Sequence, residues 1–339
     1  MISLRNRGGV EWVMMKLPYK YHVLITYLML VAFISFAACT SRDTTTESKL
    51  VDHLSLNHQF KVDSIVSIIS KDTISLMNWL RLSGTTNDPY TRAAIYYQLG
   101  TYHQNNYSIQ RAIDYHNLSL ATAKESGNGI QEIRALNALG HDYKLLCTYN
   151  KSAEHYFKAL VLLGQEKEDQ EKGDTKKAQT ERIKTLEGIG SLYLALNQTD
   201  EAMKFFNRSL NLATRFDQED AIASNLINIG RVHEEKQEYD SAYTYYYKSL
   251  EHGINLNSVS NMGRSFERIG NIYRLKGDIE SAVIYGTSAY QSLLGTSDKL
   301  NWLNACFSLT TLYITQGNFP DAIKLLNEGT ATAKSLNLP

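Results

Sequence analysis

The chain has 339 residues, with 35 Lys and Arg against 35 Asp and Glu, so its formal net charge is zero. That balance excludes a general polyanion binder, which carries a basic surplus, and three cysteines exclude a disulfide framework. A hydrophobic content of 43% excludes wholesale disorder, and only 4 prolines leave room for long uninterrupted helices.

The first predicted element is an export signal. Met14 to His22 is a short basic stretch containing Lys16 and Lys20, and Val23 to Ala38 carries no charge. A basic region followed by an apolar one reads as a secretory signal. The apolar run is shorter than the ~20 residues a spanning helix needs. Phe36-Ala37-Ala38 then precede Cys39. This resembles the lipobox of bacterial (Bacteroidetes-like) lipoproteins, with Phe standing where Leu is usual. The resemblance implies that residues 1–38 are removed and that Cys39 becomes the lipidated first residue, holding the chain in the bacterial envelope on the periplasmic side. An ordinary signal, cleaved or not, and a buried core helix are the alternatives. The start is Met1, Met14 or Met15. Loss of residues 1–38 removes Arg5, Arg7, Lys16 and Lys20 against Glu11 and leaves a slightly acidic chain. Residues 39–48 are polar and read as a tether. After Cys39 the longest apolar run, Ala159 to Leu163, is far too short to span.

Residues 49–89 carry apolar side chains at helical spacing, among them Val62, Ile65, Val66, Ile69, Leu76 and Leu80. They are predicted to form capping helices that end at Asn87-Asp88-Pro89.

From residue 90 an internal repeat governs the chain. Apolar-Gly pairs end at Gly100, Gly140, Gly190, Gly230 and Gly270, and Leu309-Thr310 continues the series. The spacings are 40, 50, 40, 40 and 40. Three residues after each anchor stands a ring: His103, Tyr143, Tyr193, His233, Tyr273, Tyr313. Twelve after it stands a small residue, from Ala112 and Ser152 to Ala322, and nineteen after it another, from Ser119 to Gly329. Sixteen after it come His116, Tyr156, Phe206, Tyr246, Gly286 and Leu326. Small residues at fixed points let two helices approach closely, and aromatic residues at the other points fill the space between neighbouring hairpins. Asn197, Gly277 and Gly317, seven after the anchor, are predicted to turn one helix into the next.

This pattern resembles the tetratricopeptide repeat, in a long variant with a period of about 40 residues. The resemblance implies an all-α, right-handed solenoid of stacked helix-turn-helix units, at about 90–128, 129–164, 179–218, 219–257, 258–298 and 299–339. The extra residues, 165–178, are charged and read as a solvated helix extension and loop or as a partner-contacting insertion. No polar helix follows the sixth unit to cap it. Either a partner covers its apolar face or the chain is the front part of something longer.

No sequence pattern for catalysis appears. There is no G-x-x-x-x-G-K-[ST], no H-E-x-x-H, no C-x-x-C and no G-x-S-x-G. Cys147 and Cys306 are predicted to be buried apolar fillers, and His103, His116 and His233 to be packing rings rather than metal ligands. His141, Asp142 and Ser152 can be drawn as a triad, but the repeat dictates their spacing. The expectation is a non-enzyme with no cofactor, no metal, no nucleic-acid partner and no small-molecule substrate.

In tetratricopeptide repeats the first helix of each unit lines the concave groove, through positions −6, −3, +1, +4 and +5 from the anchor. Carried over, this implies partner contacts at Arg134, Asn137, His141, Lys144, Lys184, Arg231, Arg264, Asn271 and Arg274. Asn271 fits one half of a carboxylate clamp, but Glu267 stands where a lysine is needed. The implied function is an interaction scaffold, membrane-anchored in the envelope, that holds a polypeptide in the groove. The sensory half of a signal-transduction regulator and a structural envelope-assembly lipoprotein are the alternatives.

Overall fold

The computed structural model describes residues 88–165, 176–296 and 298–335. The expected signal, lipidated Cys39, tether, capping helices and most of the charged insertion lie outside the described residues. The described residues form twelve α-helices and no strand. They are α1 (Pro89–Asn105), α2 (Ile109–Glu125), α3 (Gly129–Leu145), α4 (Tyr149–Gln165), α5 (Lys176–Ala195) and α6 (Thr199–Arg215). They continue with α7 (Glu219–Glu235), α8 (Tyr239–Asn255), α9 (Val259–Leu275), α10 (Ile279–Leu293), α11 (Lys299–Gln316) and α12 (Phe319–Ser335). No helix among the described residues is long and apolar enough to cross a membrane.

The 40-residue period is two half-periods of 20: helices begin at 89, 109, 129 and 149, and again at 199, 219, 239, 259, 279, 299 and 319. Most helices have 17 residues and a three-residue connection. Each such connection closes in the same way. After α7, the Gln237 N–H donates to the Glu234 carbonyl at 2.9 Å and the Glu238 N–H to the His233 carbonyl at 2.9 Å. This pair is the Schellman ending, which needs one left-handed residue. Gly277 and Gly317 supply it without strain, whereas Tyr107, Cys147, Asn197, Asp217, Gln237 and Asn257 adopt positive φ despite their side chains. Side chains of Asp88, Asn128, Asp278 and Asp298 then cap the next helix.

The small and large positions interlock. Ala112, Ser152, Ala202, Ala242, Ala282 and Ala322 are all buried. His116, Phe206 and Tyr246 are fully buried, and their rings occupy the space in front of Gly100, Gly190 and Gly230, where a Cβ would overlap them. The small residue nineteen after the anchor is often serine for a reason of its own. Ser119, Ser209 and Ser249 each donate to a carbonyl of the paired helix, at Ala93, Ile183 and Ala223, so burial leaves no orphaned hydroxyl. A further regularity is a ring fifteen after the anchor. It stacks on the ring at position +3 in five units: His103 on Tyr115, Tyr143 on His155, Tyr193 on Phe205, His233 on Tyr245 and Tyr273 on Tyr285, with centroids 5.1–5.5 Å apart.

One expectation is corrected. Cys147 is exposed, as the left-handed residue of a turn, and of the two thiols described only Cys306 is a buried filler. Leu326, sixteen after the anchor in the sixth unit, is 43% exposed on the last described helix.

Successive odd-numbered helices also pack on one another, α3 on α5 and α9 on α11 most extensively, while no comparable contact joins successive even-numbered helices. The odd helices therefore form the inner, concave row of an α-solenoid.

Candidate groove

The inner row encloses a groove of about 700 Å³. Six of the nine expected residues line it: Asn137, His141 and Lys144 from α3, Lys184 from α5, Arg231 from α7 and Arg264 from α9. The other three lie elsewhere. Arg134 lies over the Tyr97 ring and pairs with Glu181 at 3.3 Å. Asn271 and Arg274 line a separate cavity of about 350 Å³.

The groove carries five cations, Lys144, Lys184, Arg231, Arg264 and Arg268, against Glu181, Glu187 and Glu267. Glu181 takes Lys184 at 3.1 Å, and Glu267 takes Arg268 at 3.3 Å. Lys144 donates to the neutral Ser191 hydroxyl at 2.8 Å. Among the described residues no carboxylate lies within ion-pairing distance of Lys144, Arg231 or Arg264. Their environment resists charge. Burial pulls the Lys144 ammonium down to about 8, with Arg231 adding repulsion. Burial lowers Arg231 and Arg264 too; Arg268 repels both, while Asp298 supports the charge on Arg264 and Glu234 that on Arg231. Burial also holds His141 at about 4, so it is neutral near pH 7. The result is a concave surface with an excess of positive charge at its centre, which Asp298, Glu187 and Glu267 offset in part at Arg264.

Glu187 could compensate only in part. Burial pushes its carboxyl up to about 7, although Arg264, Lys184 and the Asn225 amide, at 2.6 Å, favour ionisation. A carboxyl raised in the folded state keeps its proton where the unfolded chain has lost it. Its contribution to stability therefore falls as pH rises from about 4.5 to about 7. His141 and Lys144, both lowered, act in the opposite sense over about 4 to 6.5 and 8 to 10.5. Glu187→Gln is expected to gain about 1–2 kcal/mol on the parent chain across the pH 4.5–7 window. Urea midpoints at pH 4.5, 6 and 7.5 measure this; a pH-independent difference would contradict it.

Several groove residues escaped the five-position rule. Tyr97, Thr101, Gln104 and Asn304 occupy the same positions in the first and sixth units, where the rule was not applied. Asn228 and Arg268 stand two before the anchor, and Glu181 and Asn301 nine before it. These extend the stripe by steps of three and four along the same helix face.

The triad drawn on His141, Asp142 and Ser152 does not assemble. Asp142 bonds His116 Nδ1 at 2.6 Å, with both side chains fully buried, and also accepts from Gln104. The Ser152 hydroxyl donates to the Gly140 carbonyl. No group of three or more metal-ligating side chains occurs among the described residues.

Residues 183–215, the end of α5 and all of α6, match the family model described as Tetratricopeptide repeat. That match spans one helical hairpin, and the other hairpins share its frame. Solved structures with its fold include a Rap protein complexed with Competence and Sporulation Factor, at TM-score 0.60 and 15% identity, covering 81% of this chain and 78% of that one. NprR in complex with its cognate peptide NprX follows at TM-score 0.55 and 17% identity, covering 73% and 67%. A signal-transduction ATPase with a tetratricopeptide repeat sensor, from Pyrococcus horikoshii, gives TM-score 0.57 and 16% identity, covering 85% of this chain and 43% of that one. At these identities the likeness is one of fold. No curated protein matches the chain by sequence.

Proposed function

We propose that this helical repeat array is a non-enzymatic scaffold that binds an acidic stretch of polypeptide in its concave groove, and that Cys39 anchors it by a lipid in the bacterial envelope, facing the periplasm. The observation that carries the binding reading is the half-buried trio Lys144, Arg231 and Arg264, none of which forms a close ion pair with a carboxylate of the described residues. A ligand carboxylate relieves their repulsion, and backbone amides of an extended chain suit Asn228 and Ser191 at the walls. Two structures of similar fold hold peptides, a Rap conjugation gene regulator with the Phr* peptide and NprR with NprX, which supports a peptide as the occupant. The likeness to a tetratricopeptide repeat sensor favours one second reading, in which binding is the sensory step of a signalling chain. The anchor rests on the sequence around Cys39 alone.

The test is selection of peptides from a displayed random library on the full chain, followed by titration of the winners. Selected peptides are expected to be rich in Asp and Glu. The double variant Arg231→Glu, Arg264→Glu is expected to weaken them at least 100-fold, since each reversed charge in a desolvated contact costs about 2–5 kcal/mol. Peptides of no acidic bias, or affinity unchanged in the variant, would overturn the reading. An intact mass reporting an unacylated Cys39 would remove the anchor.

A further inference from the structure

The fifth unit breaks the repeat at one position, and the break leaves a cavity. In the second unit the ring sixteen after the anchor, Tyr156, lies between two glycines: Gly140, the anchor of its own inner helix, and Gly188, two before the anchor of the next. In the fifth unit the residue sixteen after the anchor is Gly286. The corresponding neighbours are Gly270 and Ser308, and all three line the cavity of about 350 Å³ between α9, α10 and α11. Ala289, Ala305 and Leu312 complete its apolar wall. Behind it the hairpin closes backbone to backbone, since a Cβ on Gly270 would lie 3.2 Å from the Ala282 carbonyl oxygen and 3.3 Å from the Gly286 nitrogen. Leu309 and Leu312 lean against Gly286 from α11, at 3.3 and 3.2 Å from the place of a Cβ, and the cavity opens beside them.

We infer that this cavity is a socket for an aromatic side chain, Phe or Tyr, of the polypeptide held in the groove. The inference rests on the groove reading and deepens it. Three observations favour an aromatic occupant. The chain itself places a ring at the equivalent position of the first four units, His116, Tyr156, Phe206 and Tyr246. The volume sits at the low end of the ~300–1,000 Å³ of small-ligand pockets, which suits one side chain rather than a whole ligand. Glu267 borders both the socket and the main groove, so a chain lying in one reaches the other. The mouth also changes sign. In the fourth unit the Tyr246 hydroxyl donates to Glu234, four after the anchor, whereas the fifth unit has Arg274 at that place, held by Asn271 at 2.7 Å. A cation there accepts the face of a ring or a carboxylate beside it.

The test uses N-acetyl-phenylalaninamide as probe and N-acetyl-alaninamide as control, with the full chain labelled at Ala and Leu methyl groups. The phenylalanine probe is expected to shift the Ala289, Ala305 and Leu312 methyl signals saturably, with a Kd on the order of 1 mM, as befits so small a ligand. The control is expected to shift none of them. Gly286→Phe supplies the ring in cis and is expected to abolish the shifts at some cost in Tm, since a Cβ there already meets Leu312 at 3.2 Å and Leu309 at 3.3 Å. If that variant is unstable, Ser308→Phe closes the same socket from α11 and must abolish them instead. No saturable shift, an equal response to the alanine control, or shifts that persist in the folded, filled variant would overturn the socket. The response of Arg231→Glu, Arg264→Glu separates the two readings. Those residues lie outside the socket, so the variant is expected to keep the probe shifts while losing acidic peptides.

Discussion

Asp142→Ala is expected to destabilise the chain by about 3–5 kcal/mol, although Asp142 touches no solvent and no ligand. Its carboxylate bonds His116 Nδ1 at 2.6 Å and accepts from the Gln104 amide, in surroundings where both acid and imidazole are fully buried. His116 Nε2 has no partner among the described residues, so Asp142 is the imidazole's one polar contact there. Removing one member of a buried polar pair strands the other, and that loss exceeds anything the pair contributes net. The double variant Asp142→Leu, His116→Phe is expected to recover most of the loss, since Phe206 already fills the position equivalent to His116. Chemical denaturation of the two variants measures this. Equal destabilisation in the single and the double variant would show that shape rather than the pairing matters there.

Phe206→Ala is expected to cost about 3–5 kcal/mol as well, the usual range for a buried aromatic ring. The form of the transition is the sharper readout. Phe206 packs with Leu194 and Ala202 inside its own hairpin and with Ile229 and Val232 of the next. It is thus a term in the coupling between two units. In a stacked array, stability is a sum of unit and nearest-neighbour terms. Weakening one interface is expected to split or broaden the denaturation curve into two segments that meet near α6. Leu326→Ala, at the equivalent but exposed position, is expected to change stability by no more than about 0.5 kcal/mol. A single sharp transition in Phe206→Ala would show that the array melts as one unit.

Much of this fold is written in the sequence, because the repeat samples each environment several times. The anchor glycines, the small residues at +12 and +19 and the turn residues at +7 are dictated by contacts within one hairpin, so their spacing along the chain reports their spacing in space. The ring at +15 was missed beside the ring at +16, since adjacent aromatic residues on one helix read as a single bulky site until the two faces are distinguished. The exposed Cys147 was missed because thiol chemistry, not turn geometry, set the expectation. The site was less legible than the fold. That Arg231 and Arg264 form no close ion pair depends on distances between units, which no periodicity encodes. The link from Asp142 to His116 joins two different units through positions that are not equivalent in the frame. Arg134 and Lys184 looked like ligand contacts on the same grounds as Arg264, but Glu181, nine before an anchor and outside the rule, already engages both.

The uneven packing of the two helical rows has a mechanical consequence. Inner helices touch their inner neighbours, while outer helices meet only the hairpins beside them. The inner row is therefore a hinge line and the outer row a free rim. Small tilts between units spread the rim like a fan at little cost, because few contacts join successive outer helices, the Tyr290 hydroxyl on Glu328 among them. The same tilts change the bore of the groove, since its cations come from α3, α5, α7 and α9. A guest seated among those helices would set the curvature of the whole spring, and a pull on either end would reach the guest as a change of grip.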